Sequence, residues 1–246
     1  MTNLYASWPT PPNVSALTTM RTPGLSKAPY DANNLGLHVG DDETAVRTNR
    51  QSLVAALKLP KEPEWLEQIH SNHCVVVEED KNRTADAAVT RSSAHPLAIM
   101  TADCLPIMLC NKQGTEIAAI HSGWRGLVNG VIENTLNKMQ SSPEQLMAWI
   151  GPAICQSCYE VGGEVLDAYH NRYSFASKGF QPKGEKWLAN LSLLAELVLN
   201  SLGILAVYQS NICTFEQKNA FYSYRREAQT GRMATLIWLN DINEDN

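Results

Sequence analysis

The sequence predicts a single α+β domain built on mixed β-sheet, and three observations predict it. Helical and strand-like segments are interspersed without the regular βαβ alternation of a doubly wound sheet. No internal repeat or linker divides the chain. With 246 residues, 44% of them hydrophobic and 18% charged, it is long enough to bury a large core.

Residues 1–18 hold three of the twelve prolines and read as an irregular lead-in or an edge strand. Asp41-Asp42-Glu43 places acid at the first turn of a helix that carries Val46, Leu53, Ala56 and Leu57. Cys74–Val77 reads as a strand. The apolar runs Leu97–Met100, Pro106–Cys110 and Ile117–Ile120 read as adjacent strands, with a turn at Asn111-Lys112-Gln113-Gly114. Directly after Gly123-Trp124-Arg125-Gly126, the residues Leu127, Val128, Val131, Ile132, Thr135, Leu136 and Met139 fall at helical spacing. Ser142-Pro143 opens a short helix, and a longer one over 191–202 stops at Gly203. Strands are expected around 221–225 and 233–239.

Composition narrows the function. A net charge of −5 argues against general nucleic-acid binding, which needs an excess of Lys and Arg. No apolar run reaches membrane-spanning length, and Met1–Trp8 has no basic or hydrophobic segment of a secretion signal. A cytoplasmic location is expected, with the six cysteines as reduced thiols.

Cys104 in T-A-D-C-L-P and His121 in A-A-I-H-S-G-W-R-G-L each close an apolar run, which would bring a thiol and an imidazole to one end of a sheet. His70 ends the run Trp65–Ile69, and His73 follows three residues on; in a strand the two would face opposite ways, and the pattern does not choose between them. Two imidazoles and a thiolate suit a borderline metal ion and leave a coordination position open for chemistry. The plainer alternatives are a buried hydrophobic Cys and a core His satisfied by a carbonyl. Asp103 would orient a ligand imidazole or cap a turn. Arg125 at a helix start marks an anion site, unless it pairs with a surface acid while Trp124 packs. Arg225 and Arg226 follow alternating aromatic and polar residues, as an edge strand or as donors to an anion. Asn34 lies in a loop-rich segment able to line a cleft. Cys155-x-x-Cys158 would suit a redox-active pair or half of a zinc site, but no second C-x-x-C completes it, and after Gly151-Pro152 it reads as a structural turn.

The segments T-A-D-C-L-P, A-A-I-H-S-G-W-R-G-L, I-G-P-A-I (150–154), C-Y-E-V-G (158–162), C-T (213–214) and the block 221–237 closely resemble those of the bacterial "laccase domain" family, of the multicopper-polyphenol-oxidase type. N-L-G-L-H-V-G-D-D (34–42) and Asn49-Arg50 agree as well, so the resemblance spans about Thr19 to Leu239. That family is also described as purine nucleoside phosphorylases and peptidoglycan-editing factors. The resemblance implies an α/β/β/α sandwich and zinc held by His70, Cys104 and His121. It selects His70 because the family's histidine follows a Gln-Val or Gln-Ile pair, here Gln68-Ile69. It also implies phosphorolysis of adenosine, inosine and methylthioadenosine, with adenosine deamination. The chain departs from the family at Met20 and Pro23 of the 19–24 loop, at Ser122 for Ala, and at Asn190 for Asp.

Within that reading the small-molecule partners are a purine nucleoside and phosphate. Arg21, Asn34, Arg125, Arg225 and Arg226 are the candidate binding residues, and Asp103 the candidate acid/base. Two rivals stand beside it. A copper-dependent polyphenol oxidase of the multicopper kind needs roughly ten histidines, against six here and no H-x-H pair. A Cys–His amide hydrolase editing a peptidoglycan precursor would use Cys104 as nucleophile. A binding module with a structural zinc is a third, and the oligomeric state is left open.

Overall fold

Along most strands the side chains alternate between two destinations, and that alternation builds the fold as four layers. The structure is a computed structural model describing residues 3–241; the outermost residues of the expected 1–246 domain lie outside the described residues. In chain order the elements are β1 (Asn3–Tyr5), β2 (Val14–Thr19), α1 (Glu43–Leu57), β3 (Glu64–Trp65), β4 (Cys74–Val76), β5 (Ala87–Thr90), β6 (Leu97–Thr101), β7 (Leu105–Asn111) and β8 (Ile117–Ser122). There follow α2 (Trp124–Val128), α3 (Val131–Leu136), β9 (Leu146–Ile150), β10 (Glu160–Val161), α4 (Gly163–His170), β11 (Phe180–Lys183), β12 (Lys186–Ala189), α5 (Leu191–Ser201), β13 (Ala206–Gln209) and β14 (Met233–Leu239).

One sheet runs β1-β2-β14-β6-β3, a second β13-β9-β7-β8-β5-β4, and a small third β10-β12-β11. Both large sheets mix parallel and antiparallel pairs. Leu17, Ala98, Leu236 and Trp238 face α1, where Leu53 meets them. The opposite faces of the same strands send Ala16, Leu97, Ile99 and Ile237 inward against Met108, Ala119 and Trp149 of the second sheet. The far face of that sheet, with Leu105, Ile107, Ala118 and Ile120, packs on residues of α2 to α5. The result is the expected α+β sandwich of layered mixed sheets between helices. No helix of the described residues is long and apolar enough to cross a membrane.

Several expectations are corrected. The 1–18 lead-in contains β1 and β2, and β2 is an inner strand, between β1 and β14; Pro9, Pro11 and Pro12 fall in the link before it, where no ladder N–H is required. The helix expected over 127–139 breaks at Gly130, whose φ of 90° is left-handed, into the short α2 and α3. On α1 it is Asn49 and Arg50, not Ala56, that join the buried stripe, because their side chains hold the carbonyls of Ala32, Asn34 and Leu35. Residues 221–225 form no strand: 221–223 are irregular and a turn begins at Tyr224. The runs ending near Cys104 and at His121 belong to different sheets, β6 to one and β8 to the other.

Candidate metal centre and its pocket

The link from β6 to β7 carries the chain from the first sheet to the second, and Cys104 is its last residue. His121 lies on β8 opposite Pro106 of β7. Ile117 and Ala119 point between the sheets, so the period of two sends the buried His121 the same way. His70 arrives from the bend after β3 in the left-handed conformation, with φ 59°. Ligand atoms of His70, Cys104 and His121 all lie within 4.8 Å of one another. The two imidazole centres are 4.7 Å apart, with ring planes at 64°. His73 is exposed, off any strand and outside this group.

What holds the two histidines is a residue the sequence reading missed. Asp86, fully buried, accepts from the ring Nδ1 of His121 at 2.8 Å and from the His70 amide at 3.0 Å. It also accepts from the Ser71 amide at 2.6 Å, the Ser71 hydroxyl at 2.7 Å and the Ile69 amide at 3.3 Å. These bonds fix the His121 tautomer with Nδ1 protonated, so that Nε2 is the ring nitrogen left to act as a ligand. They also secure the left-handed turn at His70. Gln68 pairs with both backbone groups of Met100, each at 2.8 Å, and ties this bend to the end of β6. The signal for Asp86 was legible: a lone carboxylate in Ala85-Asp86-Ala87-Ala88-Val89, which burial obliges to find partners.

Asp103 does not orient an imidazole. Its carboxylate accepts from the Thr214 hydroxyl at 2.7 Å, the Ser223 hydroxyl at 2.9 Å and the Arg225 amide at 2.7 Å, and it sits at φ 94°. It pins the turn that presents Cys104, the other function expected of it. Gly123 explains another small residue. A Cβ there would lie 3.0 Å from His70 Nδ1 and 3.1 Å from Cys104 Sγ, so glycine lets the backbone close on the ligands.

Electrostatics follow from these contacts. Burial opposes charge on His121, but Asp86 and the adjacent Cys104 thiol outweigh it and raise its pKa to about 9 in the metal-free chain. Burial likewise opposes ionisation of Asp86, but the His121 ring and Ser71 keep its pKa below the ordinary value. Burial and the neighbouring His121 lower His70. A soft thiolate and two imidazoles, an orienting carboxylate behind one of them and an open side fit a divalent ion such as zinc.

A cavity of about 510 Å³ opens over the triad, large enough for a small organic ligand. Arg125, Arg225 and Arg232 line it, and none has a carboxylate partner among the described residues. Arg125 stacks on Trp124 with 4.4 Å from guanidinium carbon to ring centre, and Arg225 on Tyr159 at 4.9 Å. Tyr224 and His38 also line the wall of this cavity. Helix α2 is only five residues long, so an anion here would meet the arginine charges rather than a helix dipole.

Three expected binding residues stand elsewhere. Arg21 bonds the carbonyls of Asp31 and Lys218 and stacks on Tyr222. Asn34 is fully buried and spends its amide on Gly36, Asp41 and the Arg232 backbone. Arg226 bonds the carbonyls of Thr214, Phe215 and Phe221. Arg232, whose backbone amide Asn34 holds at 2.9 Å, was missed because the loop before β14 has no periodic pattern.

Fold and site define a layered α+β protein with a His-His-Cys centre at the mouth of an inter-sheet cleft. The family model described as multi-copper polyphenol oxidoreductase laccase matches residues 15–240, and the chain belongs to that family. It is 43% identical over 238 residues to purine nucleoside phosphorylase YfiH of Escherichia coli (strain K12), covering 96% of this chain and 98% of the relative. A purine nucleoside phosphorylase of Haemophilus influenzae is 43% identical over 242 residues, 97% of this chain and 99% of that one. The crystal structure of Neisseria meningitidis protein NMB0706 superposes with a TM-score of 0.94 at 43% identity, covering 98% of this chain and 100% of that one.

Proposed function

We propose that the protein is a metal-dependent purine nucleoside phosphorylase, with zinc held by His70, Cys104 and His121. The observation that carries it is three arginines without a carboxylate partner among the described residues, lining one cavity with a metal-type triad and aromatic walls. The relatives named purine nucleoside phosphorylase match nearly the full length of this chain. The bound ion would supply Lewis acidity at its open position. Arg125, Arg225 and Arg232 would hold phosphate, whose oxygen attacks C1′ of the ribose while the bond to the purine breaks. Trp124, Tyr159 and Tyr224 offer ring faces to the base and narrow the cavity around it. Burial and the positive charges of Arg232 and Arg50 lower the pKa of His38, leaving a neutral imidazole on the wall at pH 7. We assign the neutral His38 to accept the proton that phosphate loses on attack and pass it to the departing purine, in place of Asp103, whose oxygens are engaged. Adenosine, inosine and methylthioadenosine are the substrates proposed, with adenosine deamination as a side activity of the same centre. The six cysteines are all free thiols, in keeping with a reducing, cytoplasmic setting.

One observation favours a second reading. Cys104, His121 and Asp86 also form a thiol–imidazole–carboxylate line, which suits an amide hydrolase. The multicopper oxidase reading has less support: neither metal-capable side-chain group among the described residues offers the histidine-rich donors of a trinuclear copper cluster. The purified protein is given adenosine or inosine with and without phosphate, and the products are identified. Free base with ribose 1-phosphate, formed only when phosphate is present, is the expected result. No turnover of either nucleoside would overturn the proposal and favour the hydrolase.

A further inference from the structure

The C-x-x-C that looked incomplete in the sequence has a partner in three dimensions. Ala153 and Cys213 pair as a parallel bridge, with Ala153 N–H to the Ile212 carbonyl at 3.2 Å and Thr214 N–H to the Ala153 carbonyl at 3.0 Å. That pairing sets Cys155-x-x-Cys158 beside a second half, Cys213-x-x-Glu216. Neither half reveals the other in sequence, because the second ends in a carboxylate and lies across α4 and α5.

We propose that Cys155, Cys158, Cys213 and Glu216 form a second metal site, closed by four protein ligands and suited to a structural zinc ion. One ligand atom from each residue lies within 4.8 Å of all the others. Cys158 Sγ is 3.8 Å from Glu216 Oε1. Zinc–sulfur bonds of about 2.3 Å at tetrahedral angles put sulfurs about 3.8 Å apart, so a contraction of about 1 Å or less closes the site. The C-x-x-C spacing is that of zinc knuckles. The Cys155 amide donates to Cys213 Sγ at 3.3 Å, a contact that strengthens when the sulfur becomes a metal-bound thiolate. Cys213 is buried, Cys155 and Cys158 are half-buried and Glu216 is exposed, so the ion would enter from the Glu216 side. A disulfide would join only two of the sulfurs and leave the third thiol and the carboxylate without a shared role; all three cysteines are free.

The site's place in the fold gives it a purpose distinct from the catalytic centre. Ile154, next to Cys155, donates its amide to the Asp103 carbonyl at 3.0 Å. Thr214, next to Cys213, donates its hydroxyl to the Asp103 carboxylate at 2.7 Å. Tyr159, next to Cys158, lines the main cavity. An ion clamping the two segments therefore braces the turn that presents Cys104 and one wall of the pocket.

The test counts zinc on the full chain, purified under reducing conditions, stripped with a chelator and reloaded with zinc, by native mass spectrometry. Two ions are expected on the unaltered protein, one on Cys104→Ser and one on Cys155→Ser/Cys213→Ser. Because the paired serine variant could fail to fold, Cys104→Ser carries a second measurement with the proposed ligands intact. Its melting temperature should rise on adding zinc, and cobalt should give a thiolate charge-transfer band without Cys104. A single ion on the unaltered protein that is lost altogether in Cys104→Ser would overturn the proposal. So would a disulfide among Cys155, Cys158 and Cys213 in reagent-free peptide maps together with no zinc uptake after its reduction.

Discussion

Asp86 places one buried carboxylate behind two imidazoles, and its bonds to His121 and to the 69–71 amides make both ring positions depend on it. Asp86→Asn keeps the shape but removes the charge and half the accepting capacity. Zinc affinity should fall about 10- to 100-fold, read by competition with a chromophoric chelator. Unchanged affinity would mean that the His121 tautomer is set elsewhere. Gly123→Ala tests close approach rather than charge. Its methyl would press on His70 Nδ1 and Cys104 Sγ, at 3.0 and 3.1 Å. Zinc affinity should drop about tenfold, read by the same competition. At this scale Cys104 and His121 were legible as candidate ligands because each closes an apolar run, where a polar side chain needs a reason. Arg232 was not, since only the folded loop before β14 turns it toward the cavity.

At the scale of elements, caps and edges decide local stability. Asn190 accepts from the Leu193 amide at 3.0 Å and caps α5, so the amide serves where the family's Asp would. Asn190→Ala should cost about 1 kcal/mol in urea unfolding without changing zinc content. On the edge strand β3, burial resists ionisation of Glu64, but Lys61, His95 and Arg83 outweigh it and lower its pKa from 4.5 to about 2. Stability from this charge is therefore complete above pH 4.5 and is lost as pH falls toward 2. Glu64→Gln should be less stable than the unaltered protein by about 1 kcal/mol at neutral pH, after screening by solvent, with the gap closing on acidification. A gap that widens in acid would contradict the assignment. Helices α1 and α5 were legible from acid at one start and glycine at the other end. The break between α2 and α3 was less so, because Asn129-Gly130 interrupts an apolar stripe that continues on both sides. β2 was hidden by the prolines just before it, which mark a link and not the strand.

For the whole molecule, the pairing of strands into two facing sheets decides where the chemistry sits. Adjacency of β7 and β8 could be read from their short connecting turn, but not the assignment of β6 to the opposite sheet, which depends on its pairing with distant β14. That crossing is what places Cys104 at the open end of the inter-sheet layer, facing His121 and the bend of His70. We propose that nucleoside phosphorolysis depends on a divalent ion gripped by these three side chains. That dependence is tested most directly by following phosphorolysis of inosine by the chelator-stripped chain as zinc is returned. Activity should be absent without metal, rise with added zinc to a plateau, and stay absent in Cys104→Ser at every zinc concentration. Full turnover by the stripped protein, or zinc-restored turnover in Cys104→Ser, would contradict the account.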